Sequence, residues 1–266
     1  MRMVDRVDLL RELGLLPVWR LRAPPSAAAP REIASPPTVS PPPTMRDAAI
    51  DPARTAPGAG AVERVARIAT LGWSDFAADV QACTACGLCR SRRQAVPGVG
   101  DAGAEWMFVG EAPGAEEDAR GEPFVGQAGR LLDNMLAALG MRRERNVYIA
   151  NVLKCRPPGN RTPEPGEVDA CRPYLDRQIA LTRPKLIVAL GRSAATTLLG
   201  VDATIASLRG RVHRYQGVPL IVTYHPAYLL RNLPDKAKAW EDLCLARATV
   251  RALSDAGLQS AAAAPN

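Results

Sequence analysis

Apolar positions along this 266-residue chain change their spacing several times, and each change marks a predicted element. In residues 5–15 (DRVDLLRELGL), Val7, Leu9, Leu10, Leu13 and Leu15 stand near helical spacing. This predicts a short amphipathic segment within 1–22, either a docking peptide for a protein partner or a packed terminal helix. From Ala23 to Gly60 the periodicity gives way to Pro, Ala, Ser and Thr (APPSAAAPREIASPPTVSPPPT), which predicts a disordered linker over 23–60. A folded domain is expected over 61–255 and a disordered tail over 256–266.

Inside the domain, helical spacing covers 62–82, and WMFVG (106–110) reads as a short buried strand. GQAGRLLDNMLAALG (126–140) predicts a helix closed by Gly140, and NVYIANVL (146–153) a second strand. A helix near 164–181 follows, then KLIVALG (185–191), a third strand running straight into a helix at 192–199. VPLIVTYHP (218–226) is a fourth strand and DKAKAWEDLCLARATVRAL (235–253) a closing helix. Strands alternating with helices imply the α/β class, with a parallel sheet covered on both faces. Ligands of such sheets sit beyond the strands' carboxyl ends, so the loops at 110–127, 151–163 and 223–231 are expected to converge.

An apolar fraction of 47% leaves ample material for a core, and a net charge of +7 favours an anionic partner, nucleic acid or an acidic membrane surface, unless it serves solubility alone. The start MRMVDRVDLLRELGLLPVWRLR interrupts its apolar residues with charge, unlike a signal-peptide core, and nothing approaches a membrane span. A soluble, cytoplasmic protein is expected, and its six cysteines should then be reduced, metal-bound or buried. Cys83, Cys86 and Cys89 form CTACGLC, while Cys155 and Cys171 lie further on. A C-x-x-C pair and two distant cysteines give four thiolates, enough for tetrahedral zinc or a [4Fe–4S] cluster. A ferredoxin-type run would need a fourth nearby cysteine followed by proline; SRRQ stands there instead, which argues against an electron carrier. Spacing leaves open which of Cys83, Cys86 and Cys89 is spare, and whether the metal is zinc or iron; Cys244 reads as core.

Residues 110–133, GEAPGAEEDARGEPFVGQAGRLLD, form a glycine-broken loop that would repel a phosphate through Glu111, Glu116, Glu117 and Asp118. Together with NVLKCRPPGNRTP, YHPAYLLR and the cysteines, it resembles the three motifs of type 4 uracil-DNA glycosylases, the iron–sulfur class of that superfamily. The similarity spans roughly residues 62–255. It implies a three-layer αβα sandwich around a central four-stranded, mainly parallel sheet. It also implies a [4Fe–4S] cluster held by Cys83, Cys86, Cys155 and Cys171 as a structural staple, and an activity that releases uracil from DNA.

A glycosylase must extrude its nucleotide from the stack. By resemblance, Asn151 reads the base edge, Phe124 stacks on the pyrimidine and His225 stabilises the anion developing on the departing base. Leu229 matches the wedge that fills the vacated space, with Tyr228 and Leu230 as supports. Ala112 stands where better-known uracil glycosylases carry an aspartate, so Glu111 is expected to position water and Glu117 to act on water directly or through the loop containing Asn160. Lys154, Arg156, Arg161, Arg192, Arg209 and Arg231 are candidate phosphate contacts, and His213 reads as structural. No lysine in the three motifs is placed to form an imine, which argues against a strand-cutting lyase. The expected partner is uracil-containing DNA, bound by a monomer. Two other readings are a relative that attaches covalently to DNA, disfavoured because NVLKCRPPGNRTP lacks a histidine, and a non-catalytic DNA-binding module.

Overall fold

A computed structural model describes residues 59–262, so the expected N-terminal segment and nearly all of the linker lie outside the described residues. Four buried strands form the centre: β2 (Trp106–Gly110), β3 (Val147–Asn151), β4 (Leu186–Leu190) and β6 (Val218–Thr223), in the order β3-β2-β4-β6 and all parallel. Two short antiparallel strands extend this expected sheet at its edges, β1 (Val99–Gly100) beside β3 and β5 (Val212–Tyr215) beside β6. Every residue of β2, β3 and β4 is buried, which is why these strands read as unbroken apolar runs.

Alternation along the strands divides the core between two faces. Met107, Val109, Ile187, Ala189, Leu220 and Val222 pack with Leu175 and Ile179 of α5 (Pro165–Thr182) and with Ala194, Ala195 and Leu198 of α6 (Arg192–Leu199). On the other face, Phe108, Ile149, Val188 and Ile221 meet Leu132 and Leu136 of α4 (Gln127–Ala138) and Leu243, Ala246 and Val250 of α9 (Asp235–Ala262). This is the αβα sandwich. The 62–82 pattern is realised as two helices, α1 (Ala59–Thr70) and α2 (Trp73–Ala82), with Leu71 and Gly72 between them. Helix α3 (Ala115–Arg120) rises from within the acidic loop, while α7 (Ile205–Leu208) and α8 (Pro226–Leu229) are single turns. Helix α9 continues to Ala262, into the segment expected as a disordered tail. Among the described residues, no helix is long and apolar enough to cross a membrane.

From β2 the chain crosses to β3 on one side, then passes back over to β4 on the other. The crevice at such a switch point is where doubly wound sheets take ligands. The strand ends there deliver Glu111, Asn151, Gly191 and His225.

Arg209 has a structural partner in place of the phosphate expected for it. Its Nε donates to Asp242 Oδ2 at 3.0 Å, Gly210 N–H donates to Asp242 Oδ1 at 3.2 Å, and Asp242 is only 1% exposed on α9. The pair ties the turn before β5 to the last helix. Arg209→Ala strands a buried carboxylate and should lower the unfolding free energy by about 3 kcal/mol in urea denaturation; an unchanged midpoint would contradict the strut.

Candidate active site

A cavity of ≈ 500 Å³ opens at the carboxyl ends of β2, β3 and β6. Glu111, Glu117, Phe124, Asn151, Asn160, His225 and Arg231 all line it, so the three loops converge as their sequence implied.

Asn151 closes β3 directly opposite Gly110 of β2 and is 2% exposed. Its Oδ1 is buried against Gly110 with no hydrogen-bond partner, an unsatisfied acceptor on a residue that lines the cavity. A Cβ on residue 110 would lie 2.6 Å from Phe124 Cζ and would also collide with Asn151 Oδ1, so glycine is what lets both side chains share the cavity wall. Phe124 adopts φ 55°, a left-handed conformation costing about 1–2 kcal/mol for a residue with a Cβ. The residue is 6% exposed, and its ring lies 5.5 Å from the His225 ring at a tilt of 30°.

His225 caps α8: Ala227 N–H donates to its Nδ1 at 3.1 Å, which leaves the proton of the neutral ring on Nε2. Burial, helped by the Arg231 charge and opposed by Glu117, pulls its pKa down to about 4. The site therefore holds a neutral imidazole with one N–H to donate. Gly191, at φ +92°, makes room for it, since a Cβ there would stand 2.9 Å from His225 Cβ.

The acids divide. Burial raises the Glu111 carboxyl above its ordinary range, opposed by a hydrogen bond from Ser193. Glu117 serves the loop: Oε2 accepts from Gly114 N–H at 3.1 Å, and Oε1 from Val125 N–H at 2.9 Å and Gly126 N–H at 3.1 Å. Asn160 is exposed at the rim, its Oδ1 accepting from Arg156 Nε at 2.7 Å.

Several expected contacts need correction. Leu229 is 1% exposed and packs with Tyr224 and Ala239, so it belongs to the core and presents no wedge; Leu230, next in the chain, is 39% exposed. Lys154 is 1% exposed, which removes it from the phosphate contacts; its Nζ donates to Asn151 O at 2.7 Å and to Gln178 Oε1. Two other arginines stay open to solvent: Arg192 in an exposed pair with Asp202 at 2.6 Å, and Arg161, which lines the cavity while forking onto Glu167 at 2.9 and 2.6 Å. Arg231 stands exposed at the rim, and no ion pair holds it among the described residues.

A second void lies behind β3. Cys83, Cys86, Cys155 and Cys171 line it, and so does Cys89, which the motif resemblance sets aside. Among the described residues no three of His, Cys, Asp or Glu close around one point as a single ion requires. The sulfurs instead stand around a shared space, and N–H donors face them: Arg92 Nη1 to Cys155 Sγ at 2.9 Å and Lys154 N to Cys171 Sγ at 3.2 Å. Burial pushes the Cys171 thiol up to about 12, so a thiolate there needs a cationic group in the void. Cysteine sulfurs lining one void are the donor type that iron–sulfur clusters and zinc both take.

A family model described as the uracil DNA glycosylase superfamily matches residues 97–244. The chain is 48% identical to a type-4 uracil-DNA glycosylase of Archaeoglobus fulgidus over 164 residues, 59% of this chain and 82% of that protein. Identity to the type-4 enzyme of Thermotoga maritima is 48% over 155 residues, 58% of this chain and 80% of that one. A type-5 uracil-DNA glycosylase of Pyrobaculum aerophilum matches at 36% over 153 residues, 52% of this chain and 67% of its own.

The partly buried imidazole sets a pH dependence. Because its folded pKa, about 4, lies below the ordinary 6.5, the native chain stays unprotonated where the unfolded chain binds a proton. Its contribution to stability is complete above pH 6.5 and is lost as pH falls towards 4. In thermal melts across that window, the wild type should gain on His225→Asn as pH rises; a constant difference between the two would refute the assignment.

Proposed function

The chain belongs to the uracil-DNA glycosylase superfamily, and we propose that its cavity receives a uracil turned out of DNA and that it hydrolyses the N-glycosidic bond, releasing the base and leaving an abasic site. One observation carries the assignment to this cavity: the buried, unpartnered Oδ1 of Asn151. Uracil presents N3–H and O4 side by side, so the amide accepts from the first through Oδ1 and donates to the second through Nδ2. Cytosine presents the opposite pattern and leaves both amide atoms facing like partners. Phe124 stacks on the pyrimidine, a contact worth about 1–3 kcal/mol.

Bond breaking places negative charge on the base, and the Nε2–H of neutral His225 donates to O2 as that charge grows, with no proton transferred. Glu111 orients the attacking water from the β2 end, where Ala112 supplies no carboxylate. Glu117, with its oxygens bound to three backbone N–H groups, shapes the loop that presents Phe124. Leu230 takes the wedge role from Leu229 on exposure, and Arg231 meets a backbone phosphate at the rim.

We assign the sulfur-lined void to a [4Fe–4S] cluster on Cys83, Cys86, Cys155 and Cys171. When bound, it supplies cross-linking of α2, the segment after β3 and α5, and takes no part in bond cleavage. A monomer in the cytoplasm acting on uracil-containing DNA completes the reading.

A release assay with uracil-containing oligonucleotide tests the function, with iron and sulfide measured on the same anaerobically purified sample. The wild type should free uracil, whereas Asn151→Asp, which loses the donor to O4, should reduce excision by about 100-fold or more; full activity in that variant would reject the base-reading role. Arg231→Ala should weaken DNA binding and lower its salt slope by about 1. A wild-type slope would remove Arg231 from the phosphate contacts.

A further inference from the structure

Phe124 is held in its left-handed conformation by two charged side chains from separate elements, and only one of them belongs to the motif loops. Arg143 lies in the turn between α4 and β3, away from the cavity lining. Its Nη1 donates to Pro123 O at 2.8 Å, its Nη2 donates to Phe124 O, and its Nε is fixed by Asp133 Oδ1 at 2.5 Å. On the other side of the same segment, the Glu117 carboxylate takes the N–H groups of Val125 and Gly126. Consecutive carbonyls thus point to a guanidinium and the following N–H groups to a carboxylate, both charge-assisted. Gly129 completes the seat: a Cβ there would run into the Phe124 carbonyl, so α4 can pass close beneath it.

We propose that Arg143 is a positioning residue for uracil recognition, holding the strained Phe124 peptide so that its ring stays parallel to the bound base and near His225. The inference rests on the reading of Phe124 as the stacking surface. It explains why a positive-φ phenylalanine persists beside glycines that would adopt the same backbone freely: the ring is needed, and the guanidinium and carboxylate oppose its relaxation. Asp133, on the first turns of α4 beyond Gly129, orients the fork, so the grip reaches the pocket from the amino-terminal side of β3 without touching DNA or base.

Two measurements on the full chain test the role. With 4-fluorophenylalanine incorporated, the chain carries three fluorine probes, at Phe76, Phe108 and Phe124. In Arg143→Ala the Phe124 resonance should shift and broaden while those of Phe76 and Phe108 hold; an unchanged Phe124 signal, or equal changes in all three, would overturn the proposal. Single-turnover excision should fall roughly tenfold in Arg143→Ala, about the worth of one stacking contact, with part of the loss restored in Arg143→Lys, which keeps one charged bond to a carbonyl. In a Phe124→Ala background the Arg143→Ala substitution should cost nothing further, and a second full loss would show that Arg143 acts elsewhere. If Arg143→Ala fails to fold, Asp133→Asn loosens the same fork and carries the same expectations. Should Phe124→Ala itself excise at the wild-type rate, the stacking reading fails, and the fluorine spectrum still decides whether Arg143 holds the ring.

Discussion

Gly110 and Asn151 face each other across the neighbouring parallel strands β2 and β3, and that register governs the rest of the site. A slip of one residue would turn Asn151 out of the pocket and drive a side chain into the space now shared by its amide and the Phe124 ring. The register is secured by burial on both sheet faces, because each strand residue has a prescribed layer to fill. Backbone bonds continue the pairing beyond the strands: Val152 N–H donates to Gly110 O at 2.9 Å and Leu153 N–H to Glu111 O at 3.0 Å. Asn151 is thus the last residue of a rigid element, with paired backbone on either side.

Behind that asparagine, Lys154 joins two chemistries. Its ammonium holds the Asn151 carbonyl while its own peptide N–H faces Cys171. Burial pulls its pKa down to about 8, with Cys171 and Cys155 acting the other way. Lys154 therefore links the wall of the sulfur-lined void to the backbone of Asn151, which lines the larger cavity. His225 shows the same economy on the opposite wall. Its Nδ1 is spent capping a turn, which fixes the tautomer, and its burial keeps the ring neutral.

Much of this was legible in the chain's pattern, for identifiable reasons. The central strands announced themselves because strands covered on both faces must be apolar throughout, and their carboxyl ends located the loops that meet. Antiparallel edges were harder: Val99–Gly100 is two residues long, and Val212–Tyr215 is largely exposed, so neither carries a burial period. Helix α3 was hidden because its three consecutive acids read as a solvated loop, although Gly114 and Glu117 stand at N-cap and N3 spacing. Charge misled where burial decides. Lys154 and Arg209 were grouped with phosphate contacts by their charge and their place near loops and strand ends, and each has a partner in the folded chain instead. Leu229 matched a motif position, yet the turn that carries it points the side chain inward and leaves Leu230 outside. Nothing local marked Arg143, since the Pro123 and Phe124 oxygens it holds lie 20 and 19 residues back and belong to the backbone.

The lone acceptor on Asn151 has a further effect on turnover. In the proposed pose the amide and the stacking ring would touch only the base, and so would grip it equally before and after the sugar is detached. Of the contacts assigned here to the pocket, only the histidine's bond strengthens between those two states. On that reading a cavity unsatisfied when empty would retain its own leaving group, and dissociation of the freed pyrimidine would compete with the chemical step in setting how fast the next lesion can be met.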